Sequence, residues 1–580
     1  MDKQWSLKEL YSSFDDTCFH DDLSQVKAIL NEMKRFPDLA TTPENLKAYL
    51  CEDNQLNDLV EKLYAFVSLT MNANTNDQQA LKYSSVIENI LASFAEDSAK
   101  IQKWIGEFDL NSIQNTYIQE HMFILKEMQL NNQYLLDEQS EAVLAQMKTT
   151  GSSAWLKYKD QLISSMKVTI DNKEYPLTEV LNMAYSQNHE VRKKAYFAEI
   201  AAYPKVEQGV ASALNAIKGE ALTVTKMRGY ESVLQRTLID SRMSQKTLDV
   251  LLQTMKKALP VFEKYYLLKA KRLGYTKGLP WYDMYAPIIE SESSYPYEKG
   301  CAFVVEQFST FSHHLGEYAK KAIENNWIDV YPRSGKVGGA FCHNLHSLKE
   351  SRFLLNYGNE FGDVITMAHE LGHGFHGECL SEQTALNADY PMPIAETAST
   401  FCETIVKKAA LKNAPIEQQL MILENELCDC AQVIVDIYSR FLFESRLFEK
   451  REEGPLSVEE MKNLMLEAQK EAYGNGLDHD YLHPYMWTWK PHYYEADYAF
   501  YNFPYAFGLL LAKGLYGLYQ KEGSNFEKTY ENFLSLTGKM SLEDVGQSVG
   551  IDLTSEDFWQ NSIDMIQEDI DLFEKLLSQV

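Results

Sequence analysis

The chain has 580 residues, 83 acidic against 55 basic, for a formal charge of −28. That balance excludes the basic footprint of a nucleic-acid binder and attraction to an anionic membrane surface. Apolar residues at 45% and aromatics at 12% suffice for a large core, and a length prior of about 150 residues per domain gives roughly four domains.

The N-terminal stretch MDKQWSLKELYSSFDD is polar and acidic, with no apolar h-region, so no secretory signal is expected. No window approaches about 18 uncharged apolar residues, so no membrane span is expected either. The eight cysteines, at 18, 51, 301, 342, 379, 402, 428 and 430, form no CxxC pair. Scattered in this way they read as reduced thiols, and the protein as cytoplasmic.

Residues 1–190 predict helix after helix. Leu56, Val60, Leu63, Tyr64 and Val67 recur at three- and four-residue spacing, and proline is scarce. KVTIDNKEYP at 167–176 breaks the pattern: Val168 and Ile170 alternate with polar positions, and Asp171-Asn172 is a tight-turn pair, so a hairpin is expected. Helical spacing resumes to about 330. Gly335, Gly338 and Gly339 then precede Ala340-Phe341-Cys342, either an ordinary glycine-rich loop or a small sheet whose edge accepts an extended peptide. From 363 helix dominates again, and no repeat of 20–50 residues is visible. The expected class is mainly α with a minor β element, divided into an N-terminal helical lobe at 1–190 and a catalytic domain at 191–580.

Residues 363–377 read DVITMAHELGHGFHG. Asp363 suits an N-cap before Val364, Ile365, Met367 and Ala368. His369 and His373 lie one turn apart on one face, so both imidazoles can reach one tetrahedral zinc. Glu370 follows the first of them and can stand beside the metal without binding it, where a general base for an activated water belongs. A third ligand is needed. The long metzincin pattern requires histidine at 379, where this chain has Cys379. His376 lies about 10 Å along the helix from His369 at 1.5 Å per residue, too far to share the ion. Glu396, in the apolar segment PMPIAETASTFCETIV, remains, on an expected second helix crossing the first. Glu403, two turns on, reads either as a solvated helix position or as a hydrogen-bond partner that fixes a ligand imidazole.

The segment PHYYEADYAFYNFPYAFG at 491–508 supplies His492 and Tyr493, Tyr494, Tyr498, Tyr501 and Tyr505. On a helix, the six- and seven-residue steps from His492 to Tyr498 to Tyr505 would return nearly to one face. Such groups could hold an oxyanion, although tyrosine stripes more often serve packing.

Taken together, HELGHGFH, PIAETASTFCE and HYYEADYAFYNFPYAFG resemble the oligoendopeptidase F branch of the thimet oligopeptidase and neurolysin family. WSLKELYSSFDD, YDMYAPI, GKVGGAFC and LLNYGNEFGDVITMAHE extend the resemblance along almost the whole chain. It implies a mostly helical, two-lobed body with a deep channel that admits short unstructured peptides. It implies one zinc ion on His369, His373 and Glu396, and Glu370 as the catalytic glutamate. His492, Tyr498 and Tyr505 fall near the family's transition-state positions. The His-to-Tyr spacing is longer than the thimet-type motif by about one residue, which keeps Tyr501 as a rival. The glycine-rich 335–342 segment resembles the strand edge that lies along the substrate backbone.

The expected function is therefore zinc-dependent endopeptidase action on oligopeptides. An exopeptidase trimming C-terminal residues and a non-catalytic peptide-binding protein are the alternatives. Oligomeric state is not readable.

Overall fold

Helix forms wherever apolar residues recur with helical spacing. The structure is a computed structural model that describes residues 3–289 and 294–580. Met1 and Asp2, the head of the segment read for a leader, therefore lie outside the described residues. The longest helix, Pro43–Ala73, starts as its sequence predicts: the Thr42 side chain accepts from the Asn45 N–H, and Pro43 occupies the first helical position, where no N–H is needed. No helix among the described residues is long and apolar enough to cross a membrane.

The strands are few and short. β1 (Lys167–Ile170) and β2 (Lys173–Pro176) form the expected antiparallel hairpin, with Ile170 opposite Lys173. Its turn residues Asp171 and Asn172 have φ of 50° and 66°. Both central positions of a two-residue hairpin turn need positive φ, and Asn and Asp tolerate it best after glycine. A second sheet has the order β3 (Ile328–Asp329), β5 (Glu350–Leu354), β4 (Phe341–Leu345). β5 pairs parallel with β3 and antiparallel with β4, so β4 is an outer strand. The glycines at 335–339 are loop, and the strand begins after them at Phe341.

The chain forms two compact units, each built from three separate segments. One comprises Met1–Tyr134, Ser293–Ala410 and Leu515–Ile551; the other comprises Leu135–Glu292, Leu411–Gly514 and Asp552–Val580. The sequence-derived division at 190/191 coincides with none of these junctions and falls inside the helix His189–Ala202 of the second unit. In the first unit, helices from the opening 130 residues pack around Trp5, Tyr11, Phe19, Phe36, Phe66 and Trp104, joined by Leu345 and Leu354 of the sheet. In the second, Val168 of the hairpin packs with Leu214, Phe443, Met461, Trp487 and Tyr493.

Two helices of the first unit and one of the second bear on function. They are α1 (Phe361–Leu380), α2 (Thr397–Asn413) and α3 (Ile437–Glu453). α1 buries Val364, Met367, Ala368, Leu371 and Phe375 along one stripe. Burying each of the larger side chains stabilises the helix in place by roughly 1.5–3 kcal/mol.

Candidate metal centre

α1 begins one turn before the position the sequence suggests. Glu360 is the N-cap, and Asp363 is the third helical residue; each side chain accepts from the other's backbone N–H. Asp363 Oδ2 takes the N–H groups of Gly358 and Glu360 at 2.9 and 2.8 Å. This capping box satisfies the first-turn donors and sets the start of the helix that carries His369, Glu370 and His373.

The two imidazoles meet as the four-residue spacing predicts. His369 Nε2 and His373 Nε2 are 3.1 Å apart, and Glu396 Oε2 lies 3.4 Å from each. Glu396 is not in mid-helix. It stands at the joint between the short helix Met392–Ala395 and α2. The Ser399 hydroxyl donates to its carbonyl at 2.9 Å and to its Oε2 at 3.0 Å, fixing the carboxylate's direction.

Gly372 is what lets the two elements approach. A Cβ there would stand 2.6 Å from the Ala398 carbonyl oxygen and 2.7 Å from Ser399 Cα. Those distances are shorter than side-chain contacts allow, so α1 and the start of α2 touch backbone to backbone only because position 372 has no side chain. The sequence reading passed over Gly372 and Ser399. A residue without a side chain between two ligand histidines, and a hydroxyl one turn after the acidic ligand, are the signals that could have found them.

Glu403 supplies the second contact to the site. Its Oε1 lies 2.5 Å from His369 Nδ1, and its Oε2 pairs with Lys407 at 2.7 Å. A carboxylate accepts, so Nδ1 carries the proton and Nε2 is left with the lone pair that a metal requires. Of the two readings of Glu403, the geometry gives the imidazole partner.

Glu370 is buried, with a carboxylate oxygen within 4.8 Å of nitrogens on both histidines. Burial raises its pKa against the charges of His369 and His373. Burial also pushes Glu396 up, but the hydrogen bond and charge of His373, with His369 beyond, outweigh it and hold the carboxyl down at about 2. For His369, burial works against the charged ring, yet Glu403, Glu370 and Glu396 carry it up to about 9. Three carboxylates thus make a cradle that favours positive charge.

The donor set fits a metal. Two lone-pair nitrogens and a carboxylate oxygen held 3.1–3.4 Å apart repel unless a cation stands among them. Tetrahedral zinc with bonds of about 2.0–2.1 Å has ligand-to-ligand edges of about 3.3–3.4 Å.

His376 is placed differently from the reading of a polar residue near the helix end. It is fully buried, stacked on Tyr390 with centroids 4.0 Å apart, and its Nε2 is 2.8 Å from the Thr537 hydroxyl. Burial drives its pKa down to about 3, so it is a neutral core residue.

The His492 segment belongs to the second unit. Residues Pro491–Tyr494 form a 3-10 turn, 495–502 are irregular, and helix α4 (Phe503–Glu522) starts only afterwards. His492, Tyr498 and Tyr505 therefore do not share a helical face, because the chain turns sharply at Phe500, whose φ is +55°. His492 instead stacks on Tyr501, with centroids 4.8 Å apart and planes within 8°. Tyr505 is 6.5 Å from His492, and Tyr498 is 5.8 Å from Tyr501. Burial, with the charges of Arg440 and Lys490, holds the His492 pKa below the usual imidazole value.

Comparison with known proteins agrees with these sites. Residues 182–565 match peptidase family M3, and residues 97–167 match a family described as Oligopeptidase F. Oligopeptidase PepF of Bacillus subtilis is 24% identical over 99% of this chain and 87% of its own length. An oligoendopeptidase F homolog of Lactococcus lactis is 25% identical over 99% of this chain and 97% of its own. Among solved structures, a chain from Chlamydophila abortus superposes with a TM-score of 0.87 at 21% identity, covering 99% of this chain and 98% of its own. Oligoendopeptidase-F from Enterococcus faecium gives 0.69 at 17% identity, over 97% and 100%. The family match spans more than half of the 580 residues, so the chain belongs to peptidase family M3 and is a metalloendopeptidase.

Proposed function

We propose that this enzyme hydrolyses short unstructured oligopeptides with one zinc ion held by His369, His373 and Glu396, and that Glu370 is its general base. The observation that carries the ligand set is the near-equilateral arrangement of the two Nε2 atoms and Glu396 Oε2. The names of the relatives, oligopeptidase and oligoendopeptidase F, support the substrate class. The eight scattered cysteines, read as thiols, favour a cytoplasmic setting.

Zinc bound there would supply Lewis acidity toward a peptide carbonyl and make water a better acid. The protein's own groups do the rest. Ser399 and Glu403 hold Glu396 and His369 in orientation. Glu370 takes a proton from the attacking water, and passes it to the amine nitrogen as the peptide C–N bond breaks. Its burial suits that task, because a carboxylate with a raised pKa is a better proton acceptor. His492, Tyr498 and Tyr505, with Tyr501 as the rival tyrosine, donate hydrogen bonds to the oxyanion of the tetrahedral intermediate in this reading.

The test is a mixture of peptides of roughly 5–20 residues, a span suited to a narrow binding site, plus one folded protein, with products read by mass spectrometry. Internal cuts that stop on chelation and return with zinc are expected, with the folded protein intact. Glu370→Gln should lose activity by on the order of 10²–10⁴-fold while retaining stoichiometric zinc. Products shortened from one end only would make the enzyme an exopeptidase. Undiminished turnover by Glu370→Gln would remove Glu370 from the mechanism.

A further inference from the structure

The left-handed backbone at Phe500 has no role in the reading above, and it is an expensive feature. A bulky side chain at φ +55° is an outlier. Such a residue persists only where its surroundings over-determine it, and these residues gather at functional sites.

Most of what holds Phe500 comes from one face of α3. Asp436, Arg440, Glu444 and Phe448 follow one another at one-turn intervals, the first of them just before the helix begins. The rings of Phe448 and Phe441 lie 5.6 and 5.1 Å from the ring of Phe500. Glu444 Oε2 accepts the Phe500 N–H at 3.2 Å, and Arg440 Nη1 donates to Asn502 Oδ1 at 3.0 Å. From other elements, the Thr237 hydroxyl donates to the Ala499 carbonyl at 2.9 Å, and Asp497 pairs with Lys148 and with Arg236.

Each of the two charged side chains on α3 is itself braced. Glu444 Oε1 meets Lys218 Nζ at 2.6 Å, and both side chains are fully buried. Arg440 pairs with Asp436, which also accepts from Gln432 at 2.5 Å and from Tyr473 at 3.2 Å. Asp436 closes a single π-helical turn, Gln432–Asp436, an insert that is rare and recurs at functional sites. Two buried ion pairs are a poor means of stabilising a core, since desolvation offsets their attraction and apolar residues would serve as well. Their distinctive product is direction: one fixes the amide of residue 500, the other the side chain of residue 502.

Between those two anchored positions stands Tyr501, stacked on His492. We propose that Arg440 and Glu444 are positioning residues that clamp the Phe500 turn and so fix the ring of Tyr501 against His492. The catalytic consequence rests on the assignment of His492 and the tyrosines to the peptidase reaction; the geometric part does not.

The experiment uses the full-length zinc-loaded enzyme, carbon-13 labelled at histidine Cε1, with the His492 resonance assigned by His492→Gln. Lys218→Met combined with Glu444→Met removes the acceptor for the Phe500 amide without stranding a charge. Arg440→Lys removes the fork that reaches Asn502. Each should move the His492 resonance toward its position in Tyr501→Ala and lower kcat by on the order of 10–100-fold, with KM little changed. Phe500→Asn, which tolerates the left-handed region, should lessen the effect of the double methionine change on kcat. If a helix variant fails to fold, Asn502→Ala leaves both ion pairs in place and carries the same expectation. An unmoved His492 resonance in folded variants would overturn the clamp, and so would an undiminished effect in the Phe500→Asn background. A moved resonance with unchanged kcat would uphold the clamp and remove the His492 group from the reaction, so the two failures are distinct.

Discussion

The metal centre and the His492 segment are held by different physics. At the first, regular helices meet backbone to backbone across Gly372, and the functional side chains follow from helical spacing and a crossing. At the second, residues 495–502 have no regular element of their own. Buried charges on α3 hold them in place, with apolar rings packed on the turn between. The lesson concerns where a change propagates. A fault at the first region separates two helices; a fault at the second releases one turn of chain.

The largest effect should come from unpairing the buried charges. Lys218→Met leaves Glu444 ionised and without its partner in the core, since both side chains are fully buried. Removing one member of such a pair costs about 3–5 kcal/mol, whereas replacing both with apolar groups is often neutral. Denaturant unfolding of Lys218→Met should therefore show a loss of that order, and adding Glu444→Met should restore most of it. If the single and double variants were equally stable, desolvation would not govern the second region.

A smaller effect is expected at the first. Gly372→Ala places a methyl 2.6 Å from the Ala398 carbonyl oxygen. Overpacking of this kind costs roughly 1–3 kcal/mol. Because Glu396 and Glu403 lie on the element that must retreat, zinc affinity should fall along with the melting temperature, by on the order of 10–100-fold if the effect matches loss of an outer ligand contact. Chelator competition measures it. A stability loss with unchanged zinc affinity would mean that the crossing is not what aims Glu396.

The same contrast explains what was legible in the sequence. His369, Glu370 and His373 were visible because i and i+4 on a helix always share a face. Glu396 was visible as a lone acid in an apolar stretch, although it sits at a helix joint. The β1–β2 turn was visible because Asp171-Asn172 matches the φ it must adopt. The 491–505 geometry was not visible: periodicity assumes a continuous helix, and a phenylalanine at Phe500 gives no sign of left-handed backbone. Nor could the unit boundaries be read, since each unit gathers three segments and no change of composition marks the junctions.

The smallest expected effect asks whether exposed charge supports the first region at all. His314 packs edge-on against Phe375 of α1, with centroids 5.2 Å apart. Its Nε2 lies 3.8 Å from Glu378 and its Nδ1 lies 3.0 Å from Glu531, and these two carboxylates raise its pKa to about 10. In the unfolded chain a histidine titrates near about 6.5. The folded value is the higher one, so the stabilisation is complete below about pH 6.5 and fades as pH rises through about 10. The side chain is 45% exposed, which limits the contribution to the 0.2–1 kcal/mol or so typical of exposed pairs. His314→Gln should melt below the wild type at pH 6, and the two should converge toward pH 10. Added salt should shrink the gap at pH 6, because an exposed pair is screened. A gap that is constant with pH and salt would assign the contribution to the Phe375 contact instead, and would leave the first region held by packing alone.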